Sequence, residues 1–504
     1  MRKKRLVANT VSSFLFRICT IVCGFVLPRI ILSNFGSEVN GLVNSITQFL
    51  GIITFLELGV GAVIQSALYK PLADKDSNTI SEIMVSGQKF FSKIALVLLL
   101  YVVILSSIYP YITEQKFGVF YTVTLIVIIS ISSFAQYYFG IVNSLLLTAD
   151  QRGYISYNIQ TITLILNTVI CAILIKLGAS IHIVKLTTSI IYVVRPLVLA
   201  AYVRKNYKIN WKIRYKKEPI QQKWNGVAQH IAAVVLDSTD SIILTIFVGL
   251  KAVSIYSVYN LVVSGIKQLI FAITNGIQAL MGELWAKQEL DELRNFFGWI
   301  EWAIHTGTIF VFGVTIVLIL PFVQIYTVGV EDVNYVQPLF ALLLIAANAG
   351  HCLRLPYNIM ILAGGHYKQT QNNYIVAAII NIVISVLAVQ VWGLIGVAVG
   401  TLVAMFYQTI WMAIYDSRNL ICWPIRFFCK QLFVDMVTVL CLLFVSSVIR
   451  VDIVSWSSWI LYAILVSMVA MIIVLGINMI FYREHIKRIV ENLKGMLWKR
   501  KMKN

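Results

Sequence analysis

Apolar residues in this chain come in long, nearly continuous runs of Ile, Leu, Val and Phe, separated by short polar clusters. Neither the alternation of a half-buried strand nor the single stripe of a surface helix describes them. A helix needs roughly 20 apolar residues to cross the hydrocarbon core of a bilayer. On that measure the pattern predicts spans at 10–32, 40–68, 88–110, 118–147, 154–176, 181–203, 225–249, 252–281, 297–320, 334–363, 371–391, 393–415, 430–449 and 456–480. The predicted fold class is an all-α polytopic membrane protein with about 14 transmembrane helices. Short alternating segments of the outer-membrane barrel type do not occur. The first run follows Met1-Arg2-Lys3-Lys4-Arg5 and continues to Leu32 without a small-residue cleavage site, so it reads as a retained span.

Charge placement gives the spans a direction. Lys and Arg collect in cytoplasmic loops. Numbering the spans from a cytoplasmic N-terminus puts 30 of the 41 Lys and Arg in inner segments, counting Lys89 and Lys430 at the inner ends of their spans; Lys116, Lys176, Lys251 and Arg450 are the four in outer links. Both termini are therefore expected on the cytoplasmic side of a cell membrane. The outer links are too short to hold a folded domain. The inner segment 204–224 is strongly basic, and 481–504 carries Ile486, Ile489, Val490, Leu493 and Leu497 at helical spacing, as a surface-lying amphipathic tail does. Trp456 and Trp459 fall at one interface, Trp423 and Trp498 at the other.

Composition agrees: 59% of the residues are hydrophobic and 12% charged, half the charge of an ordinary soluble chain, with a mean hydropathy of +0.83. The net charge of +19 then reports topology and anionic headgroups rather than nucleic acid. Seven scattered cysteines without a CxxC pair give neither a disulfide framework nor a zinc site. No P-loop, no Gly-x-Ser-x-Gly elbow and no histidine pair at metal spacing is present. The chain is expected to be no enzyme, to carry no cofactor, and to work without ATP, on a gradient or the mass action of its cargo.

The chain also repeats itself. Ile30-Ile31-Leu32 and Phe35 recur as Ile242-Ile243-Leu244 and Phe247, 212 residues on. Ala149, Asn158 and Asn167 recur as Ala363, Asn372 and Asn381 at an offset of 214. A duplication of six-span units follows, with both copies in one orientation because six is even, and with a transport path expected between the lobes. The expected organisation is residues 1–224 as an N-lobe with its basic linker, 225–415 as a C-lobe, and 416–504 as two further spans and a basic tail.

Four stretches carry a resemblance to a known family. The first span opens with Asn9-Thr10 and ends in Leu27-Pro28-Arg29 before Phe35-Gly36; the second contains Glu57-Leu58-Gly59-Val60-Gly61; Ala363-Gly364-Gly365-His366-Tyr367-Lys368 follows span ten; and Gly393 to Thr401 reads GLIGVAVGT. With six plus six plus two spans, the sequence resembles the oligosaccharide and lipopolysaccharide (O-antigen-type) flippases of the multidrug/oligosaccharidyl-lipid/polysaccharide exporter superfamily. The resemblance implies alternating-access translocation of a polyprenyl-diphosphate-linked oligosaccharide for cell-surface polysaccharide synthesis. Polysaccharide polymerases are the partners it implies.

Charged residues inside spans cost free energy and need a reason. Lys93, Lys185 and Arg29 are placed for snorkelling to the headgroups. Arg17 lies roughly 12 Å into its helix, on a stripe with Thr10, Ser13, Thr20 and Gly24. Lys267 aligns with Asn260, Ser264 and Thr274; Arg354 shares a face with His351 and Asn358; and Arg195 precedes Pro196, where a kink would free carbonyls. These four, Arg17, Lys267, Arg195 and Arg354, are the candidate substrate-binding residues, suited to an anionic diphosphate headgroup. Asp237, Asp240 and Glu57 are the deep acids, and Asp237 and Asp240 share a helix face. Two readings stay open for the acids: a proton or sodium coupling site, or neutralisation of an intramembrane cation. Glu301 and Asp435 fall near span ends and are expected at the interface. A multidrug or cation antiporter of the same superfamily is the alternative function; a polysaccharide polymerase or ligase fits less well, because the chain lacks a substantial outer loop.

Topology is directly testable. Reporters fused after Gly36, Glu114, Val330 and Ile453 should read extracytoplasmic, and those after Asp74, Gln151, Tyr215, His366 and Val490 cytoplasmic. A cytoplasmic signal after Val330 would contradict the fourteen-span arrangement.

Overall fold

In a computed structural model of the chain, residues 2–114, 116–215, 218–220, 227–448, 455–487 and 491 are described; the side chains of some helical positions, Glu57 and Asp237 among them, lie outside the description. The described chain is helical throughout. In order the helices are α1 (Arg2–Gly51), α2 (Phe55–Asp74), α3 (Ser77–Ile112), α4 (Val119–Ala135), α5 (Ile141–Ala149), α6 (Gly153–Lys176), α7 (Ile181–Asn206), α8 (Val227–Phe247), α9 (Leu250–Ala286), α10 (Leu290–Tyr326), α11 (Pro338–Leu353), α12 (Leu355–Ala363), α13 (Tyr367–Trp392), α14 (Leu394–Asn419), α15 (Ile425–Val448) and α16 (Trp456–Phe481). A single 3₁₀ turn, Ile52–Thr54, joins α1 to α2, and a π-helical turn, Gln136–Gly140, joins α4 to α5.

Twelve of these stretches are long and apolar enough to cross a membrane, so the chain is a multi-pass membrane protein. One stretch, Val7–Thr54, holds 48 residues, or about 72 Å at 1.5 Å per residue, more than twice the hydrocarbon thickness. It is bent at Gly36, whose φ of 77° lies in the left-handed region where glycine carries no steric penalty. Past this kink the helix restarts at Ser37, whose N–H and Oγ both donate to the Asp332 carboxylate (2.8 and 2.6 Å), a cap supplied from a distant loop. Counting its two arms separately gives thirteen, and the remaining expected span, 225–249, coincides with α8, of which Ser238–Phe247 is a shorter apolar stretch.

The internal repeat is visible in the helix boundaries. α3 starts at Ser77 and α10 at Leu290, 213 residues later; α6 starts at Gly153 and α13 at Tyr367, 214 later. The fourth crossing is interrupted at the same place in each copy, by the π-turn at Gln136–Gly140 and by the break at Arg354 between α11 and α12.

The described residues form two compact units, Met1–Ser257 with Gly329–Val333, and Val258–Val328 with Asn334–Asn504. The first is built around fully buried Leu42, Ile46, Ile64, Leu68, Phe91 and Tyr109. At one end of it, Asp150 accepts from Arg5 Nη1 (3.3 Å), Arg152 Nε (2.9 Å) and the Tyr207 hydroxyl (2.6 Å), and joins the starts of α1 and α6 to the end of α7. Burial and the neighbouring Asp150 carboxylate push the Tyr207 phenol well above its usual range, so it keeps its proton and donates. In the second unit, α13 and α14 form an antiparallel hairpin about Gly393. A Cβ on Gly396 would stand 2.3 Å from the Ala388 carbonyl carbon, and one on Gly400 2.7 Å from the Ser385 amide nitrogen, so the two backbones touch where side chains are missing. This Gly-xxx-Gly seam is how helices pack in lipid, where burial of apolar surface supplies no drive.

Replacing Gly396 or Gly400 with Leu should therefore sharply lower the folded protein recovered from membranes. The same replacement at Gly476, which has open space around it, should be tolerated. Detergent-extracted, monodisperse protein measured by fluorescence size-exclusion chromatography distinguishes the two outcomes.

Candidate functional site

Within the first unit a cavity of about 290 Å³ opens among α4, the π-turn, α5, α6 and α7. Its wall is polar: Ser132, Ser133, Gln136, Ser144, Ser156 and Gln160, with Tyr192 and Arg195. Such a group of side chains inside an apolar bundle requires either mutual hydrogen bonds or water and a polar ligand. Some bonds are internal: Gln160 Nε2 donates to Ser156 Oγ (3.0 Å), and Ser144 and Ser156 hydroxyls lie 3.4 Å apart.

Arg195 is the charge of this cavity. Its Nε donates to Thr163 Oγ1 (2.6 Å), an Nη reaches the Gln160 carbonyl (3.5 Å), and the Tyr192 ring covers the guanidinium at 3.7 Å. These bonds use two of the five N–H donors of a guanidinium. The cation–π contact and the two anchors hold the group in one orientation without neutralising it. Local geometry follows from the helix irregularities. Pro196 lies inside α7, and its ring sits where a Cβ on Gly140 would be, 2.8 Å away. The π-turn ending at Gly140 adds a residue to the fourth crossing and turns Gln136 and Tyr137 to the cavity, a common use of π-bulges.

Arg17 is exposed on α1, on the polar stripe expected from sequence. The exposed apolar residues Val7, Val11, Phe14, Leu15, Ile18, Val22 and Val26 run along the same helix, about 140° around from that stripe at 100° per residue. The Phe16 ring meets Tyr157 of α6 between the two faces. One exposed face of α1 thus suits lipid, and the other, with Arg17, suits water or a polar ligand.

In the second unit, Arg354 is buried at the α11–α12 break, with Nη2 2.7 Å from His351 Nε2 and the Tyr374 ring 6.0 Å away. Half-buried Lys267 of α9 is close enough to His351 and Cys352 to act on both electrostatically, as is Arg354. Lys267 and Arg354 thereby share one cationic cluster. Asp240 is buried in the first unit and accepts from the Tyr256 hydroxyl at 3.2 Å, with Ser238, Thr239 and Ser241 buried alongside. Asp237 and Glu57 lie outside the described side chains.

Sequence reasoning missed the serine and glutamine wall. These residues come from several helices and share no period, and only their convergence marks them. Glu301 and Asp435, expected at the interface, are buried within the protein, at 4% and 5% exposure. The reason is helix length: α10 begins at Leu290 and α15 at Ile425, several residues before the apolar runs, so each acid lies about 15 Å along its helix.

The comparison with known proteins bears on the fold of this multi-span helical bundle. No family profile matches the chain, and no curated protein matches it. Among solved structures, the chain is similar to a lipid II flippase, MurJ, in an inward closed conformation, at 14% identity and a TM-score of 0.72, covering 95% of this chain and 100% of that one. It is similar to a multidrug resistance MATE family transporter of the MOP superfamily in an inward-facing conformation, at 15% identity and a TM-score of 0.58, covering 79% and 94%. A point mutant of the Vibrio cholerae MATE transporter VcmN gives 13% and 0.58, covering 83% and 98%. The chain shares the fold of these solved structures.

Water access to the cavity is measurable. In a background without the seven native cysteines, Ser133→Cys and Ser144→Cys should react with a membrane-impermeant thiol reagent in at least one conformation. Ile162→Cys, 59% exposed on α6 with an apolar side chain, should face lipid and stay unlabelled.

Proposed function

We propose that this chain is a flippase that carries a polyprenyl-diphosphate-linked oligosaccharide across the cytoplasmic membrane by alternating access. The observation that carries this reading is Arg195, anchored in a polar cavity within an apolar bundle and without an acidic partner among the described residues. A diphosphate is the headgroup chemistry for which a guanidinium is best shaped, through bidentate charge-assisted bonds. The hydroxyls and amides around it suit a sugar. Arg17 in its unit, and Lys267 with Arg354 in the other, are the further intramembrane cations suited to such a headgroup. The match in length adds support: the lipid II flippase covers 95% of the chain where the two multidrug transporters cover 79% and 83%, a difference of the size of a two-helix extension such as α15 and α16.

Asp240, buried among hydroxyls, favours a second reading, an ion-coupled multidrug or cation antiporter. The same residue serves the first reading as a proton or sodium coupling site. The two readings differ in cargo charge. Proteoliposomes of the purified protein should translocate a fluorescent prenyl-diphosphate glycolipid and not an organic cation. Losing one charge-assisted contact costs about 1.5–3 kcal/mol, so Arg195→Ala should slow translocation about tenfold or more at unchanged reconstitution, with Arg195→Lys intermediate. Cation transport, or an Arg195→Ala variant as fast as wild type, would overturn the diphosphate reading.

A further inference from the structure

The second unit buries a set of ionisable groups that the reading above does not use. On α10, Glu301 and His305 stand one turn apart; on α15, Gln431 and Asp435 do the same. His305 is fully buried, and its Nδ1 lies 2.6 Å from Asp435 Oδ2. Gln431 Nε2 donates to the other oxygen, Oδ1, at 3.1 Å. Glu301 accepts from the Tyr357 hydroxyl of α12 (2.5 Å) and from Trp423 Nε1 (2.9 Å). An aspartate that accepts on both oxygens acts as the carboxylate, which assigns the histidine proton to Nδ1. The basic nitrogen of His305 is then Nε2. It is buried and makes no well-formed hydrogen bond among the described residues; the polar group it meets is the main chain of Leu353, where α11 gives way to α12.

A histidine that merely filled space would be satisfied at both nitrogens or replaced by an apolar residue. This one has a route to water instead. A cavity of about 870 Å³ opens between α10, α15 and the residues that follow α16, and Glu301, Trp302, Trp423, Lys430, Gln431 and Tyr482 stand in its wall. Glu301 and Gln431 are thus the inner wall of a vestibule, and His305 and Asp435 sit one turn beyond them.

Other ionisable neighbours come from α14, α15 and the residues that follow α16. Asp416 of α14 is buried with neither carboxylate oxygen partnered, close enough to Glu301 to act on it. Tyr482 after α16 faces both Glu301 and Asp435, and Lys430 of α15 donates to the Phe481 carbonyl. From α16 itself comes neutral Asn478, bonded to Trp302. From α11 comes the Leu353 main chain. Two carboxylic groups, Asp435 and Glu301, therefore act on one imidazole, while Lys430, Arg483, Glu484, His485, Lys487 and Glu491 stand in the vestibule wall, and in a low dielectric the two buried carboxylic groups attract a proton to the imidazole.

We propose that His305 Nε2 is a proton-binding site, loaded from the vestibule by way of Glu301 and held by Asp435. A hydronium ion in the vestibule gives its proton to the Glu301 carboxylate and leaves as water; Glu301 passes the proton to the Nε2 lone pair and returns to the carboxylate, and the pair of neutral histidine and aspartate, of net charge −1, becomes an imidazolium–aspartate pair of no net charge. The new Nε2–H is a donor facing the Leu353 main chain. Loading thereby ties α10 to the α11–α12 break, the irregular point of the second repeat's fourth crossing and the place of Arg354.

Nuclear magnetic resonance of the whole protein, labelled with ¹⁵N-histidine and reconstituted in lipid bilayers, tests this over a pH series. The chain has six histidines, and the signal lost in His305→Asn assigns the site. The expected result is an Nδ1–H neutral form that converts to imidazolium on acidification, with its midpoint lowered by about one pH unit or more in Asp435→Asn and in Glu301→Gln. If His305→Asn does not fold, the signal that moves in both carboxylate variants makes the assignment. A signal that stays in one neutral form over the range where other histidines titrate would overturn the proposal, as would a midpoint indifferent to both variants. No glycolipid enters the measurement, so its outcome is separate from that of the translocation assay.

Discussion

In a hydrocarbon environment a polar group has no water to turn to, and this constraint organises the whole chain. It makes the backbone helical wherever it meets lipid, because only a helix satisfies its own amides. It also gives meaning to each interruption. The π-turn at Gln136–Gly140 and the break at Arg354 occupy the same place in the two repeats, and each adjoins a cation, half-buried Arg195 and buried Arg354. At the first, Pro196 packs on Gly140 and brings Arg195 to the serine-lined cavity; at the second, Arg354 itself marks the discontinuity, with His351 and Lys267 beside it. Irregular backbone is tolerated at membrane depth where it lines a polar space, and both irregularities are found with polar company.

The same constraint sets how the helices hold together. Large apolar side chains such as Val7, Phe14 and Val22 are exposed on the outside, as lipid requires. Close contact is left to small residues. Gly396 and Gly400 let α14 lie against the α13 backbone, and Gly41 lets α1 approach the Leu250 carbonyl at the start of α9. Buried amides and hydroxyls then add specific bonds, such as Asn40 to Ser254 (2.8 Å) and Asn381 to Thr401 (3.0 Å). Interhelical bonds of this kind contribute modestly, on the order of 1 kcal/mol each, and their worth lies in fixing register.

Much of this architecture can be read from the residues in order. Span lengths follow from apolar runs, and the duplication from Asn167 and Asn381, which are both buried at equivalent helix positions. Arg195 was legible because Pro196 follows it, and Arg17 because Thr10, Ser13 and Thr20 share its stripe. The cavity wall was not legible, since Ser132, Ser144 and Ser156 are ordinary residues until three helices bring them together. Nor was the depth of Glu301 and Asp435. Apolar runs locate the centre of a span well but understate helices that start in polar sequence, as α10 does with Leu290-Asp291-Glu292-Leu293-Arg294.

The central claim is that the Arg195 cavity receives a diphosphate joined to a prenyl chain. The most direct measurement is equilibrium binding of a polyprenyl diphosphate to the purified protein and to Arg195→Gln, with the matching polyprenyl alcohol as control. The account expects the diphosphate to bind wild type well above the alcohol, and Arg195→Gln to lose about tenfold or more of that affinity while leaving alcohol binding unchanged. Equal affinity of wild type and Arg195→Gln for the diphosphate would contradict it.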